Sequence, residues 1–173
     1  ALLLTACALL FAATLPLRSQ DTVKIMPLGD SITELDWQGG YRSYLYKLLS
    51  DSGFAFDYVG RKTSNHNDGS IGFAFPQRYW DHEGYSGRAI YPMWLDSVGR
   101  ALNANPPQLI ILMLGTNDVS NGTRSAVQIR NYMSQFLDSI WTFNPSIRVV
   151  ISNLPRIVSG SLFSQAKLDT ILE

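Results

Sequence analysis

The run Gln108-Leu109-Ile110-Ile111-Leu112-Met113-Leu114 constrains the fold more than any other feature of this sequence. It shows no polar alternation, so it reads as a central strand buried on both faces. Three further short runs read as strands: Val23 to Leu28, Phe54 to Val59, and Ile147 to Ile151. Between them lie segments of helical period. Gly40 to Ser50 places Tyr41, Tyr44, Leu45, Leu48 and Leu49 on one side, and Gly53 is the expected C-cap. Ile90 to Leu102 reads as a helix with Pro92 tolerated in its first turn. Thr123 or Ser125 should cap a longer helix reaching about Phe143, with Ile129, Tyr132, Met133, Phe136 and Ile140 inward. The order β-α-β-loop-α-β-α-β-α predicts a mostly parallel sheet covered by helices.

That core must be built from 173 residues, 46% hydrophobic and 16% charged. The length suits one domain, and the apolar fraction excludes intrinsic disorder. Fourteen basic and fourteen acidic residues cancel, which removes a whole-molecule electrostatic case for nucleic acid. A single cysteine excludes an internal disulfide framework and a cysteine-built zinc site. His66 and His82 are the two histidines, and His82-Glu83 has no second ligand pair at helical or hairpin spacing. No metal or cofactor is expected.

Ala1 to Leu17 is uncharged and almost wholly apolar, with Pro16 and the polar stretch Arg18 to Asp21 breaking it. At 17 residues it is short for a spanning helix, and it reads as the remnant of a secretory signal. Leu4-Thr5-Ala6-Cys7 also has the form of a lipoprotein cleavage box, but Ala8 to Leu15 stays apolar where such proteins turn polar. Residues 1–20 are therefore assigned to a leader and 21–173 to one domain, secreted or cell-surface, with lipid anchoring at Cys7 the minor alternative. Ser161 to Glu173 reads as the opening of an amphipathic helix with no stop signal, so the chain is expected to be cut there.

In parallel sheets ligands bind beyond the carboxyl ends of the strands. Three motifs fall there: Gly29-Asp30-Ser31-Ile32-Thr33, Glu83-Gly84-Tyr85-Ser86-Gly87 and Gly115-Thr116-Asn117-Asp118. A serine on a tight turn after a buried strand can present its hydroxyl above the sheet. Equally, Asp30 or Ser31 could simply cap the next helix. Gly87 could supply only a turn, and Asn117 only loop hydrogen bonds.

Together these motifs resemble the first, second and third blocks of the GDSL/SGNH hydrolase superfamily. The resemblance covers about Val23 to Glu173. It implies a three-layer α/β/α sandwich with a flavodoxin-like parallel sheet, its last strand missing from this chain. It further implies Ser31 as nucleophile, with Gly87 (Gly84 the runner-up) and Asn117 as oxyanion donors. The reaction would be acyl transfer to water through an acyl-serine, each fixed donor contributing about 10² to 10³ in rate. One departure stands out. The family's base is a downstream Asp-x-x-His, and this sequence contains none. Truncation is the simpler account, with His82 the substitute base if triad geometry outweighs order.

Ile25-Met26-Pro27-Leu28-Gly29-Asp30-Ser31-Ile32-Thr33 with His82-Glu83-Gly84-Tyr85-Ser86-Gly87 looks most like carbohydrate esterase family 3, secreted acetyl esterases acting on xylan and related sugars. The expected partner is an acetylated polysaccharide or small ester, with no nucleic acid and no stable membrane insertion after leader removal. Phe73, Phe75, Tyr79, Trp80, Tyr85, Tyr91 and Trp94 could stack on sugar or merely anchor the long loop 61–88. Two other readings compete. One is a general short-chain esterase or lysophospholipase; the other is a carbohydrate-binding module that lost its base. A nucleotide-binding fold is disfavoured, because the first turn carries no Gly-rich phosphate cradle.

Overall fold

The computed structural model describes residues 21–34, 40–64, 71–120 and 122–154. The leader with Cys7, His66, and the helix expected over 161–173 lie outside the described residues. Six strands form one sheet: β1 (Val23–Gly29), β2 (Phe56–Tyr58), β3 (Lys62–Thr63), β4 (Asp81–Gly84), β5 (Leu109–Met113) and β6 (Arg148–Ile151). The helices are α1 (Ser31–Glu34), α2 (Tyr41–Asp51), α3 (Val98–Ala104), α4 (Thr116–Ser120) and α5 (Ala126–Phe143).

β1 is central. It runs parallel to β5 from Ile25↔Leu109 to Gly29↔Met113, and β6 runs parallel to β5 beyond. The other edge of β1 is shared by two strands. β2 pairs with Val23 to Ile25, and β4 pairs with Leu28 and Gly29. Backbone bonds on that edge involve Val23, Ile25 and Gly29. Pro27 belongs to the same odd-numbered series and falls where β2 gives way to β4, so its missing N–H costs no ladder bond. Among the described residues only β3 is antiparallel, to β4.

Alternation along β1 and β5 divides the core. Met26, Leu28, Ile110 and Leu112 face α3 and α5, packing with Trp94, Leu102, Phe136 and Ile140. Ile25 turns the other way, into Phe56, Tyr58, Ile71 and Phe75, against which Leu45, Tyr46 and Leu49 of α2 pack. The three-layer expectation holds. Ser125 is the cap of α5: its hydroxyl accepts the Gln128 N–H while Gln128 Oε1 accepts the Ser125 N–H.

Two expectations need correction. The helix expected over Ile90 to Leu102 is α only from Val98, and Ile90–Trp94 is a kinked turn in which Tyr91 is extended (φ −109°, ψ 139°) before a cis Pro92. A residue preceding proline is driven out of the helical region, and the Ile90 N–H is taken by Asp118 instead. The loop 61–88 is also not structureless, since it contributes β3 and β4. Among the described residues no helix is long and apolar enough to cross a membrane.

Candidate active site

The carboxyl ends of β1, β4 and β5 bring the three motifs together. At the end of β1, Asp30 Oδ1 accepts the Ile32 N–H at 3.0 Å, and its carbonyl accepts the Glu34 N–H at 3.0 Å. Asp30 thus caps α1 and leaves the hydroxyl of half-buried Ser31 with no hydrogen-bond partner among the described residues. The capping and nucleophile readings are therefore compatible, on adjacent residues. Burial pushes the Asp30 carboxyl up, and the Ile32 N–H and the Thr116 hydroxyl beside it offset this only in part.

Close packing around Ser31 requires glycine twice. A Cβ on Gly29 would strike the Met113 carbonyl and the Thr33 hydroxyl; one on Gly84 would strike the Thr33–Glu34 backbone. The Gly29 carbonyl accepts the Tyr85 N–H at 3.2 Å and the Trp94 indole N–H at 3.3 Å. Gly84, the runner-up donor, lies buried at this α1–β4 contact. Gly87 lies on the exposed turn beyond it, at φ +75°, a conformation that strains other residues.

Two side chains join that turn to its neighbours. The Glu34 carboxylate pairs with Lys62 and accepts the Ser86 N–H. Burial would raise its pKa, but the bonds from Lys62 and Ser86 and the Lys62 charge outweigh it and hold the carboxyl at about 2. On the other side, half-buried Asn117 in α4 donates from Nδ2 to the Arg88 carbonyl at 2.9 Å. That bond orients the carboxamide beside Gly87. Arg88 itself lies 4.5 Å from the Tyr85 ring centre and 5.3 Å from that of Trp94, and donates to the Ser97 hydroxyl at 2.9 Å.

The motif reading gave Asp118 no role. It is fully buried, with Oδ2 accepting the Ile90 N–H at 2.8 Å and Oδ1 3.3 Å from Arg124. Burial raises its pKa, with the Ile90 N–H and the Arg124 charge opposing. Arg124 also donates to the Tyr91 carbonyl at 3.1 Å. Buried Arg42 was missed too. It donates to the carbonyls of Trp80, Glu34 and Ser64, and so pins the end of α1 to two loop segments. Asp118 sits in the Gly115-Thr116-Asn117-Asp118 motif, but its partners show only in the fold; nothing local marks Arg42.

His82 is fully buried on β4. Its Nδ1 accepts the Gly84 N–H at 2.9 Å, which places the ring proton of the neutral form on Nε2, 2.8 Å from the Ser64 hydroxyl. Both nitrogens serve the β3–β4 region rather than Ser31. An apolar cavity of about 270 Å³ opens beside Gly115, lined by Ile90, Leu114, Ile129, Met133 and Leu154 among others.

Of the seven aromatics weighed as sugar contacts, six are packing residues. Phe73, Phe75, Tyr79 and Trp80 join the α2-side core, while Tyr85 stacks edge-on against buried Trp94. Tyr91 differs, at 44% exposure.

A mainly parallel α/β/α sheet, with a serine after its first strand that has no hydrogen-bond partner among the described residues and an oriented asparagine after the strand beside it, fits the SGNH class of ester hydrolases. The chain belongs to the GDSL-like lipase/acylhydrolase family, whose model matches residues 28–171. It is 34% identical over 155 residues to a multidomain esterase of Ruminococcus flavefaciens, covering 78% of this chain and 19% of that protein. The chain therefore spans about a fifth of that curated relative's length. Among solved structures it resembles an acetyl esterase mutant with acetate ion (27% identity, TM-score 0.74). It also resembles a family 3 carbohydrate esterase from Talaromyces cellulolyticus (27%, TM-score 0.71). Each match covers 87% of this chain and 69% of the other.

Proposed function

We propose that residues 21–173 form the esterase domain of a secreted enzyme that removes acetyl groups from carbohydrates such as xylan. Residues 1–20 would be its leader. Ser31 is the nucleophile, and the N–H groups of Ser31 and Gly87 with the Asn117 amide receive the oxyanion. The observation that carries this is the Asn117 bond to the Arg88 carbonyl. It uses one amide N–H to fix the other next to Gly87, on a loop that Glu34 fastens to the helix of Ser31. Preorganised donors of this kind need no rearrangement as charge develops. No described residue presents a base to Ser31, so that role is assigned to the family's Asp-x-x-His. The acetyl and carbohydrate assignment draws on the two structural relatives above.

Acetate release from acetylated xylooligosaccharides by the full-length protein tests the reading. Ser31→Ala should reduce it to background. The match to a family of lipases and acylhydrolases supports a second reading, a general short-chain esterase or lysophospholipase. A panel of acetylated xylan, naphthyl acetate and a lysophospholipid separates the two, and preference for the lysophospholipid would end the sugar assignment.

A further inference from the structure

We propose that Tyr91, backed by Tyr132, is a platform on which the esterase seats a pyranose ring neighbouring the acetylated sugar; this rests on the carbohydrate reading above. The two rings lie nearly parallel, 12° apart with centroids at 4.6 Å. Tyr132 occupies one face of Tyr91, and the 44% exposure of Tyr91 falls on what remains. An exposed aromatic that is already stacked loses little side-chain freedom when a ligand arrives.

The position of the platform is fixed relative to the oxyanion donors. The backbone from Arg88 to Tyr91 is held at three points: Asn117 on the Arg88 carbonyl, Asp118 on the Ile90 N–H, and Arg124 on the Tyr91 carbonyl. The Arg124 guanidinium, paired with Asp118, lies 5.9 Å from the Tyr91 ring centre and 5.8 Å from that of Tyr132. Arg88 and Tyr91 are three positions apart, so their backbones lie at most about 10 Å apart. The platform and the carbonyl that holds Asn117 thus belong to one anchored segment, about the length of two sugar units. A pyranose offers a flat C–H face to an aromatic ring and hydroxyls to its phenol, the pairing of apolar body and polar tip that tyrosine supplies.

The experiment compares acetylated xylooligosaccharide with p-nitrophenyl acetate, using full-length wild type, Tyr91→Ala and Tyr91→Phe. In Tyr91→Ala the oligosaccharide KM should rise about 3- to 10-fold relative to that for p-nitrophenyl acetate, the loss expected for one aromatic stack. Tyr91→Phe, which keeps the ring, should stay near the wild-type ratio. An equal change on both substrates would assign Tyr91 a purely structural role and overturn the platform. So would an unchanged ratio in Tyr91→Ala while wild type deacetylates the oligosaccharide. If wild type cleaves only p-nitrophenyl acetate, the carbohydrate reading itself fails, and the platform with it.

Discussion

Glu34 joins the helix of Ser31 to the Gly87 turn, and its titration makes that joint measurable. Its carboxyl is held at about 2 against an ordinary 4.5. At about 1.4 kcal/mol per unit, that difference sets a ceiling of roughly 3.4 kcal/mol for the ionised form. Lys62 keeps 28% of its side chain exposed and Glu34 16%, so solvent screening brings the contribution to about 1–1.5 kcal/mol. The folded-state value is depressed, so the stabilisation is complete above the unfolded value near pH 4.5. It is lost as pH falls toward 2. Glu34→Gln should therefore lower stability by about 1–1.5 kcal/mol at pH 7, and the gap from wild type should close as pH falls from 4.5 toward 2. Urea unfolding at pH 7, 5, 4 and 3 reads this directly. Glutamine still accepts the Ser86 N–H, whereas Glu34→Ala loses it. The alanine variant should lose about tenfold more turnover than the glutamine variant, because misplaced catalytic groups are costly. A stability gap that stays constant from pH 7 to pH 3 would refute the reasoning.

The other expectations concern residues around the same joint. Glu83, fully buried, takes a forked pair of bonds from Arg61 at 2.9 Å each and the Arg61 N–H at 2.7 Å. Glu83→Ala should cost about 3 kcal/mol in a denaturant melt, and Glu83→Gln about half of that. Gly84→Ala has no room against α1 and should cost about 2–3 kcal/mol, with lower turnover even in the folded fraction. Asn117→Ala should reduce kcat on p-nitrophenyl acetate about 10²- to 10³-fold with little change in KM; a drop under threefold would remove it from the oxyanion site.

The sequence disclosed the parts whose physics is local. β5 shows as an unbroken apolar run, α5 through its period and a cap at Thr123 or Ser125, and Ser31 and Asn117 through motifs at strand ends. β4 stayed hidden because Asp81-His82-Glu83-Gly84 is polar. His82 and Glu83 are buried with partners that lie elsewhere in the chain: Arg61 pairs with Glu83, and Ser64 meets His82. The start of α3 was misplaced for a local reason: Pro92 drives Tyr91 out of the helical region, and Asp118, 28 residues away, then holds the Ile90 N–H of the kinked turn. Glu34 and Arg88 look unremarkable in sequence, because their roles need three segments to meet.

The shared edge of β1 carries a consequence for engineering. The chain leaves β1 after β2 and returns to the same edge of that strand at β4, with β3 paired only to β4 on the way. Everything between is an excursion whose two ends are anchored independently, at Val23 to Ile25 and at Leu28–Gly29. A change of length between those anchors, kept clear of the core-packed Ile71, Phe73 and Phe75, would not shift the register that places Ser31 opposite the Gly87 turn. Loop exchange there could thus vary the surroundings of the catalytic end while its frame stays put.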